Sequence, residues 1–223
     1  MTTMHVRTQF AGNAFVRVFN WLYAFFIPNL FFLLVNVGLV ITLKIMPLTL
    51  QNALPYLLAL LPLGPALWVL AQCADDFLYQ HELPRWWRLF GTYWQAVKKI
   101  GGIWAAFLAI MYVAIVDGVV LVRWPAGKWL LPLMIIVGLA AAITAFNYLT
   151  FAYHNPTVRL GVLLRAAAVL TGRRWFIGVL NVAMFGVFCL LLAAKPAIGF
   201  MVAPIIFAEL VVMNNHQAFR SLG

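Results

Sequence analysis

The sequence predicts an all-α integral membrane protein with about six transmembrane helices, both termini cytoplasmic, and two basic cytoplasmic segments between spans. Three observations predict it. Only 9% of the 223 residues are charged, against roughly 25% in a soluble domain, and the mean hydropathy is +0.99. Six apolar runs reach the roughly 17–25 residues that a spanning helix needs; they are continuous, without the period-2 alternation of a membrane β-barrel. The lysines and arginines are shared unevenly between the two sets of connecting loops, as expected of an oriented helical bundle.

The first span is placed at 21–43, a run that opens at Trp21. Arg7 and Arg17 precede it as cations precede a secretory signal, but the run exceeds the roughly 7–15 residues of a signal core and no A-x-A site follows. It is expected to be a retained helix. The second span, 56–74, contains Pro62 and Pro65. They are expected to kink it, because neighbouring helices satisfy the carbonyls a proline frees. The third, fourth, fifth and sixth spans are placed at 101–122, 130–153, 175–194 and 197–214, with a further kink at Pro204. Spans five and six are joined by only a couple of residues around Lys195–Pro196, which demands a tight antiparallel hairpin or a partly re-entrant sixth segment. In the fourth span, Gly138/Ala142 and Ala141/Ala145 have small-xxx-small spacing, expected to serve close packing inside the bundle.

Charge sets the direction. One side collects Arg7, Arg17, Arg85, Arg88, Lys98, Lys99, Arg159, Arg165, Arg173, Arg174 and Arg220, and the other Lys44, Arg123, Lys128 and Lys195. That 11:4 division of the 15 basic residues makes the first side cytoplasmic. The external connections are short, with no room for a ligand-binding domain. A net charge of +10 invites a nucleic-acid reading, but cations at membrane edges orient helices and meet anionic headgroups instead. Cys73 and Cys189 lie inside apolar runs without a C-x-x-C neighbour, so a disulfide or zinc framework is not expected.

The two basic segments carry most of the polar information. In LPRWWRLFGTYWQAVKKIG (83–101), Trp86, Phe90, Tyr93, Trp94, Val97 and Ile100 share one arc at 100° per residue, opposite Arg85, Arg88, Thr92, Gln95, Lys98 and Lys99. An amphipathic helix over 84–100 follows, either lying along the headgroups or docking a cytoplasmic partner. The second segment, NPTVRLGVLLRAAAVLTGRRW (155–175), ends like the first in a cation pair, Arg173–Arg174 against Lys98–Lys99. Its wheel is less clean, since Arg165 falls near Val158 and Val169. The recurrence of span, basic segment and span hints at an internal duplication. Arg85, Arg88, Trp94, Lys98, Lys99, Arg173 and Arg174 are therefore the candidate partner or lipid contacts.

Residues 61–104, LPLGPALWVLAQCADDFLYQHELPRWWRLFGTYWQAVKKIGGIW, resemble the hallmark region of the YesL-like membrane proteins. There a Gly-Pro-Ala-type turn opens a span and an aromatic, basic helix follows; Gly64-Pro65-Ala66, Leu89-Phe90 and Tyr93-Trp94 occupy those places. The stretches FNWLYAFFIPNL (19–30) and VVMNNHQAFRSLG (211–223) resemble the family's two ends, so the resemblance runs along nearly the whole chain. The sequence departs from the pattern at Tyr93–Gln95, where the family often places Lys and Asn. The resemblance implies a small bacterial cell-membrane protein serving as an accessory to a carbohydrate ABC importer. It supplies no catalytic residue and no cofactor.

Function classes divide accordingly. Without G-x-x-x-x-G-K-[ST] the chain is not expected to be an ATPase. The segment Gln95–Gly101 matches the permease loop E-A-A-x-x-x-G at Ala96 and Gly101, with Gln95 in place of glutamate. An accessory subunit docking on an importer permease or ATPase is the expected function. The alternative is an independent transporter or channel, which needs polar groups inside the bundle. Glu209 in the sixth span, with His216 seven residues on along the same face, would be its intramembrane site; the competing role for Glu209 is a neutral buried or hydrogen-bonded carboxyl. Asp117, Asn36, Asn147 and Asn181 are the other intramembrane polar residues. Asp75, Asp76, His81 and Glu82 form the densest set of metal-ligand types, but adjacent His81–Glu82 lacks the i, i+4 spacing of two ligands on one helical face. Those acids are expected to pair with Arg85 and Arg88. His5, His154 and His216 are isolated, and no Ser-His-Asp or Cys-His arrangement points to an enzyme.

Overall fold

A computed structural model describes residues 14–80, 82–124, 127–155 and 158–220, and every regular element among them is helical. Arg7, His5 and His81 fall outside the described residues, as do the side chains of Arg17, Lys128, His154, His216 and Arg220.

The first expected span is two helices, α1 (Ala14–Val35) and α2 (Val37–Ile45), divided at Asn36. The division has a local cause. Asn36 donates to Phe32 O twice, from its backbone N–H at 3.0 Å and from side-chain Nδ2 at 2.9 Å. A side chain bonded to its own backbone competes with the helical ladder. The second expected span is likewise broken, not merely kinked: α3 (Ala53–Ala59) and α4 (Leu63–Asp75) meet at Leu60–Pro62, and the segments 50–59 and 63–80 are bent by 46°. A single π-helical turn, Asp76–Gln80, closes α4.

The third span and the first basic segment are one helix, α5 (Trp86–Arg123), of 38 residues. At 1.5 Å per residue it is roughly 57 Å long, about twice the ~30 Å hydrocarbon layer. One continuous helix thus replaces the separate amphipathic segment and span expected there. Gly101 and Gly102 do not stop α5, since glycine is tolerated in membrane helices. The fourth and fifth spans fall where expected, as α6 (Leu131–His154) and α8 (Trp175–Ala194). Between them the second basic segment forms a separate helix, α7 (Leu160–Arg173). One basic segment is thus fused to its span and the other free of it, which weakens the suggested duplication. The last helix, α9 (Pro196–Arg220), follows α8 after Lys195 in the tight hairpin expected. A Cβ on Gly199 would sit 2.8 Å from Leu191 O, so only glycine fits that turn.

Among the described residues four helices are long and apolar enough to cross a membrane, within α1, α5, α6 and α8, or five if the bent pair α3–α4 is one span. The apolar part of α9, Gly199–Asn215, falls short of that length.

The core sits around α4. Every residue from Leu63 to Leu70 is buried, as befits a helix apolar on all sides, and α4 packs against α1, α5, α6 and α9. Gly64 lies flat against the indole of Trp104, whose Nε1 donates to Leu60 O at 3.0 Å, at the broken joint itself. A second centre is aromatic: Phe188 stacks on Phe207 at 5.1 Å, and Phe32, Phe146, Phe185 and Phe200 surround them. Helices α5 and α6 run antiparallel, with Gly118 beside Leu131, Gly138 beside Ala114, Phe107 against Tyr148 and Lys99 bonded to Asn155 O at 3.2 Å. The small residues of α6 therefore serve internal packing, and both basic segments start from the same end of the α5–α6 pair.

Candidate functional site

The apolar arc of the helical wheel is divided in the first half of α5: Ile100 is buried and Trp86 and Tyr93 pack against the core, whereas Phe90 and Trp94 are exposed. Leu89, Ala96, Ile100 and Trp104 are buried against the bundle. Trp94, on the apolar arc of the wheel and a candidate partner or lipid contact, is 59% exposed, and Trp87 is 81% exposed. This helix has apolar residues around more than one face, and only some of them meet the rest of the bundle. Phe90 is held edge-on by Phe31 and Trp86, at 5.2 and 5.3 Å. Between Trp87 and Trp94 lies Gly91, with open space where a Cβ would be. Two exposed indoles therefore flank a notch floored by glycine. Lys98 lies over the Trp94 ring at 5.7 Å, a cation–π contact that holds the ammonium beside the aromatic face.

The candidate cations separate into three kinds. Arg85, Arg88 and Lys98 are exposed. Arg88 reaches Glu82 at 4.0 Å, with both side chains mostly in solvent, and such pairs are worth about 0–1 kcal/mol. Lys99 is structural instead: it faces Trp68 at 5.6 Å and bonds Asn155 O, tying α4, α5 and the end of α6. Arg173 is exposed at the end of α7, and Arg174 is half-buried at the break before α8. The acids also diverge from expectation. Glu82 does pair with Arg88, whereas Asp75 accepts a 2.7 Å hydrogen bond from Tyr153 of α6, and Asp76 accepts from Gln80 at 3.2 Å. Among the described residues no three metal-ligand types converge. Ala96, one of two matches to the permease loop motif, is buried, so it is not available to an ATPase.

Inside the bundle the polar groups are amides. Asn29 Oδ1 accepts from Ile205 N–H at 3.0 Å, next to Pro204, where the proline disrupts the helical ladder of α9. Asn181 Nδ2 donates to Asn215 Oδ1 at 3.0 Å, Asn214 Nδ2 to Asn181 Oδ1 at 2.7 Å, and Asn215 Nδ2 to Thr150 Oγ1 at 2.9 Å. This chain joins α6, α8 and α9. A separate set joins α6 to α7: Thr171 Oγ1 receives Asn147 Nδ2 at 3.1 Å and lies 3.1 Å from Thr144 Oγ1. Asn36, Asn147 and Asn181 stand out in the sequence as polar residues in apolar runs; Asn29, Asn214, Asn215 and Thr171 were missed. Their signal was there in the same form, an amide or hydroxyl inside or just beyond an apolar run.

Glu209 is half-buried in α9 and has no hydrogen-bond or ion-pair partner among the described residues; the side chain of His216 is not among them. An internal cavity between α4, α6 and α9, lined in part by Thr150, Tyr153 and Asn215, holds about 40 Å³. That is the volume of a water, about 30 Å³ in the liquid, not of a sugar.

No family model matches the chain, and neither a curated protein nor a solved structure matches it.

Proposed function

We propose that the chain is an accessory subunit of a larger membrane assembly and performs no chemistry of its own. Its docking element is the half of α5 that outruns the bilayer. In this reading α9 completes a six-span bundle with both termini in the cytoplasm, as the 11:4 distribution of cations favours. The observation that carries it is the exposed Trp87–Gly91–Trp94 notch flanked by Arg88 and Lys98. Exposed tryptophan and arginine around an open depression are the residue types that dominate binding hot spots. The YesL-like resemblance of residues 61–104 points to the permease or ATPase of a bacterial carbohydrate ABC importer as the partner.

The test is purification of the tagged chain from its native membranes in mild detergent, with co-purifying subunits quantified by mass spectrometry. Permease and ATPase subunits are expected at a fixed ratio to the parent and lost from the combined W94A, R88E and K98E variant. Lys99 is left intact because its contacts hold the fold. Undiminished recovery with that variant, or a chain that purifies without those subunits, would sink the proposal.

A second reading, an independent transporter, is favoured by one set of observations. Helices break at Asn36 and at Leu60–Pro62, and Pro204 interrupts α9. Buried Asn29 Nδ2 and Asn36 Oδ1 have no hydrogen-bond partner among the described residues. Broken helices with free polar groups are how transporters build binding sites. Proton-coupled uptake into vesicles that disappears in Glu209→Gln would establish it.

A further inference from the structure

The half of the α5–α6 hairpin farthest from the basic segments stands largely clear of the bundle. From Ala105 to Arg123 no residue of α5 is buried, and from Leu131 to Ala140 of α6 only Gly138 is. Ile110, Val113, Ala114 and Asp117 follow one another along α5 at spacings of three, one and three residues, which places them on one stripe of the helix. With Met134 and Val137 of α6 they line a groove of about 400 Å³ whose walls belong to these two helices alone. A second groove between the same helices is bordered by Val182 of α8. The Asp117 stripe is the side turned away from the rest of the described chain.

Asp117 is the one acid in α5. It is exposed and has no hydrogen-bond or ion-pair partner among the described residues. Exposure at this point of a spanning helix is exposure to lipid. Exposed Trp124 and Trp129 mark the aromatic belt at this end of the span. Asp117 lies seven residues before Trp124, about 10 Å deeper along the helix axis. An aspartate side chain is too short to snorkel back over that distance as lysine or arginine would. A charge within a span is costly there, and it is found paired.

The chain offers no cation at that depth. Lys44, Arg123 and Lys195, which the charge distribution places on this side, all sit at helix ends, and Lys128 lies between the two belt tryptophans. A second copy would bring only the same cations at the same shallow level. The stripe is otherwise apolar, with Ala114 at its centre, and a small residue lets a second helix approach closely. Ile110 and Val113, 44% and 53% exposed, provide the contact area beside it.

We propose that this face of the α5–α6 hairpin seats a transmembrane helix of the partner subunit, and that a lysine or arginine of that helix pairs with Asp117 within the bilayer. The inference rests on the accessory reading and adds to it a contact inside the membrane, separate from the α5 notch.

The test places a photoreactive benzoylphenylalanine at Val113 of the full chain, crosslinks it in native membranes and sequences the attached peptide by mass spectrometry. The expected adduct is to a spanning segment of another subunit that contains a lysine or arginine. It should be lost in Asp117→Lys and return when the partner's cation is replaced in turn by aspartate. Asp117→Asn should weaken the adduct without lowering the thermal midpoint of the purified chain, since Asp117 bonds nothing within it. An adduct that survives Asp117→Lys, or that the reciprocal change does not restore, overturns the proposal. So does a captured helix without a cation, or an adduct to a second copy. The same probe at Trp94 separates this contact from the accessory reading itself. Adducts at 94 with none at 113 leave that reading standing and overturn this one, and no adduct at either position removes both.

Discussion

Gly64→Ala tests the packing at the joint of the broken span. A Cβ at position 64 would overlap the first ring atoms of Trp104, which cannot swing away as the tip of a flexible chain would. Trp104 is buried, and its Nε1–H is spent on Leu60 O. Accommodating the methyl therefore requires the indole to move and its N–H to lose its acceptor. Overpacking typically costs about 1–3 kcal/mol, and a buried unsatisfied donor about 1–3 kcal/mol more. The expected loss is about 2–6 kcal/mol, of order 10 °C in thermal midpoint for a chain of this length. Trp104→Phe isolates the hydrogen bond. Leu60 O also accepts from Leu63 N–H at 3.1 Å, so only one of its two bonds disappears and about 1 kcal/mol is expected. The assay is thermal or denaturant unfolding in detergent, followed by far-ultraviolet ellipticity. In a Trp104→Ala background, which removes the ring, Gly64→Ala should cost far less. A Gly64→Ala protein as stable as the parent, or an equal cost in both backgrounds, would refute this account of the joint.

Three further outcomes follow from the buried polar groups. Asn29→Leu should loosen the α1–α9 contact by about 1–3 kcal/mol, because Ile205 N–H loses its acceptor; backbone hydrogen exchange around residue 205 would report it. Asn215→Ala should cost about 0.6–1.7 kcal/mol, the range of interhelical hydrogen bonds in membranes, and combining it with Asn181→Ala should add less than the sum, since the two share one bond. Tyr153→Phe should cost about 1.5–3 kcal/mol through the lost bond to Asp75, whereas Glu82→Gln, at an exposed pair, should be near neutral in the same unfolding assay.

Much of the architecture was legible in the sequence, for identifiable reasons. Helices α6 and α8 fall within a residue or two of their expected places because each is an uninterrupted apolar run bounded by cations or loops. The interruptions were harder. Asn36 sits in an apolar run that hydropathy averages over, and only its bond to Phe32 O shows why the helix stops there. Pro62 and Pro65 signalled a disturbance in the second span, but whether prolines kink or break a helix depends on distant support, here Trp104 reaching Leu60 across 44 residues. The fusion of the first basic segment to the third span was hidden by Gly101–Gly102, a likeness of a helix end that α5 ignores. The site was legible as composition and not as orientation. The sequence contains an apolar arc on 84–100 without saying which part of it meets the bundle, so Ile100 is buried while Trp94, a candidate partner or lipid contact, is exposed; Lys99 was grouped with surface cations and lies against Trp68. The amide chain among Asn181, Asn214, Asn215 and Thr150 needs three helices to be placed before it exists at all.

The central claim is that the basic, aromatic half of α5 continues the transmembrane helix out of the bilayer and so presents its notch to a partner. A nitroxide depth scan along α5 tests it most directly, with labels placed one at a time at exposed or half-buried positions from 87 to 122 in the reconstituted, cysteine-replaced chain. A continuous helix predicts depth changing steadily with position, by up to about 1.5 Å per residue, and labels at 87 and 94 in water. Constant depth over 86–100, oscillating with the helical period at the headgroup level, would mean that this segment lies flat on the membrane, and the docking account would fail.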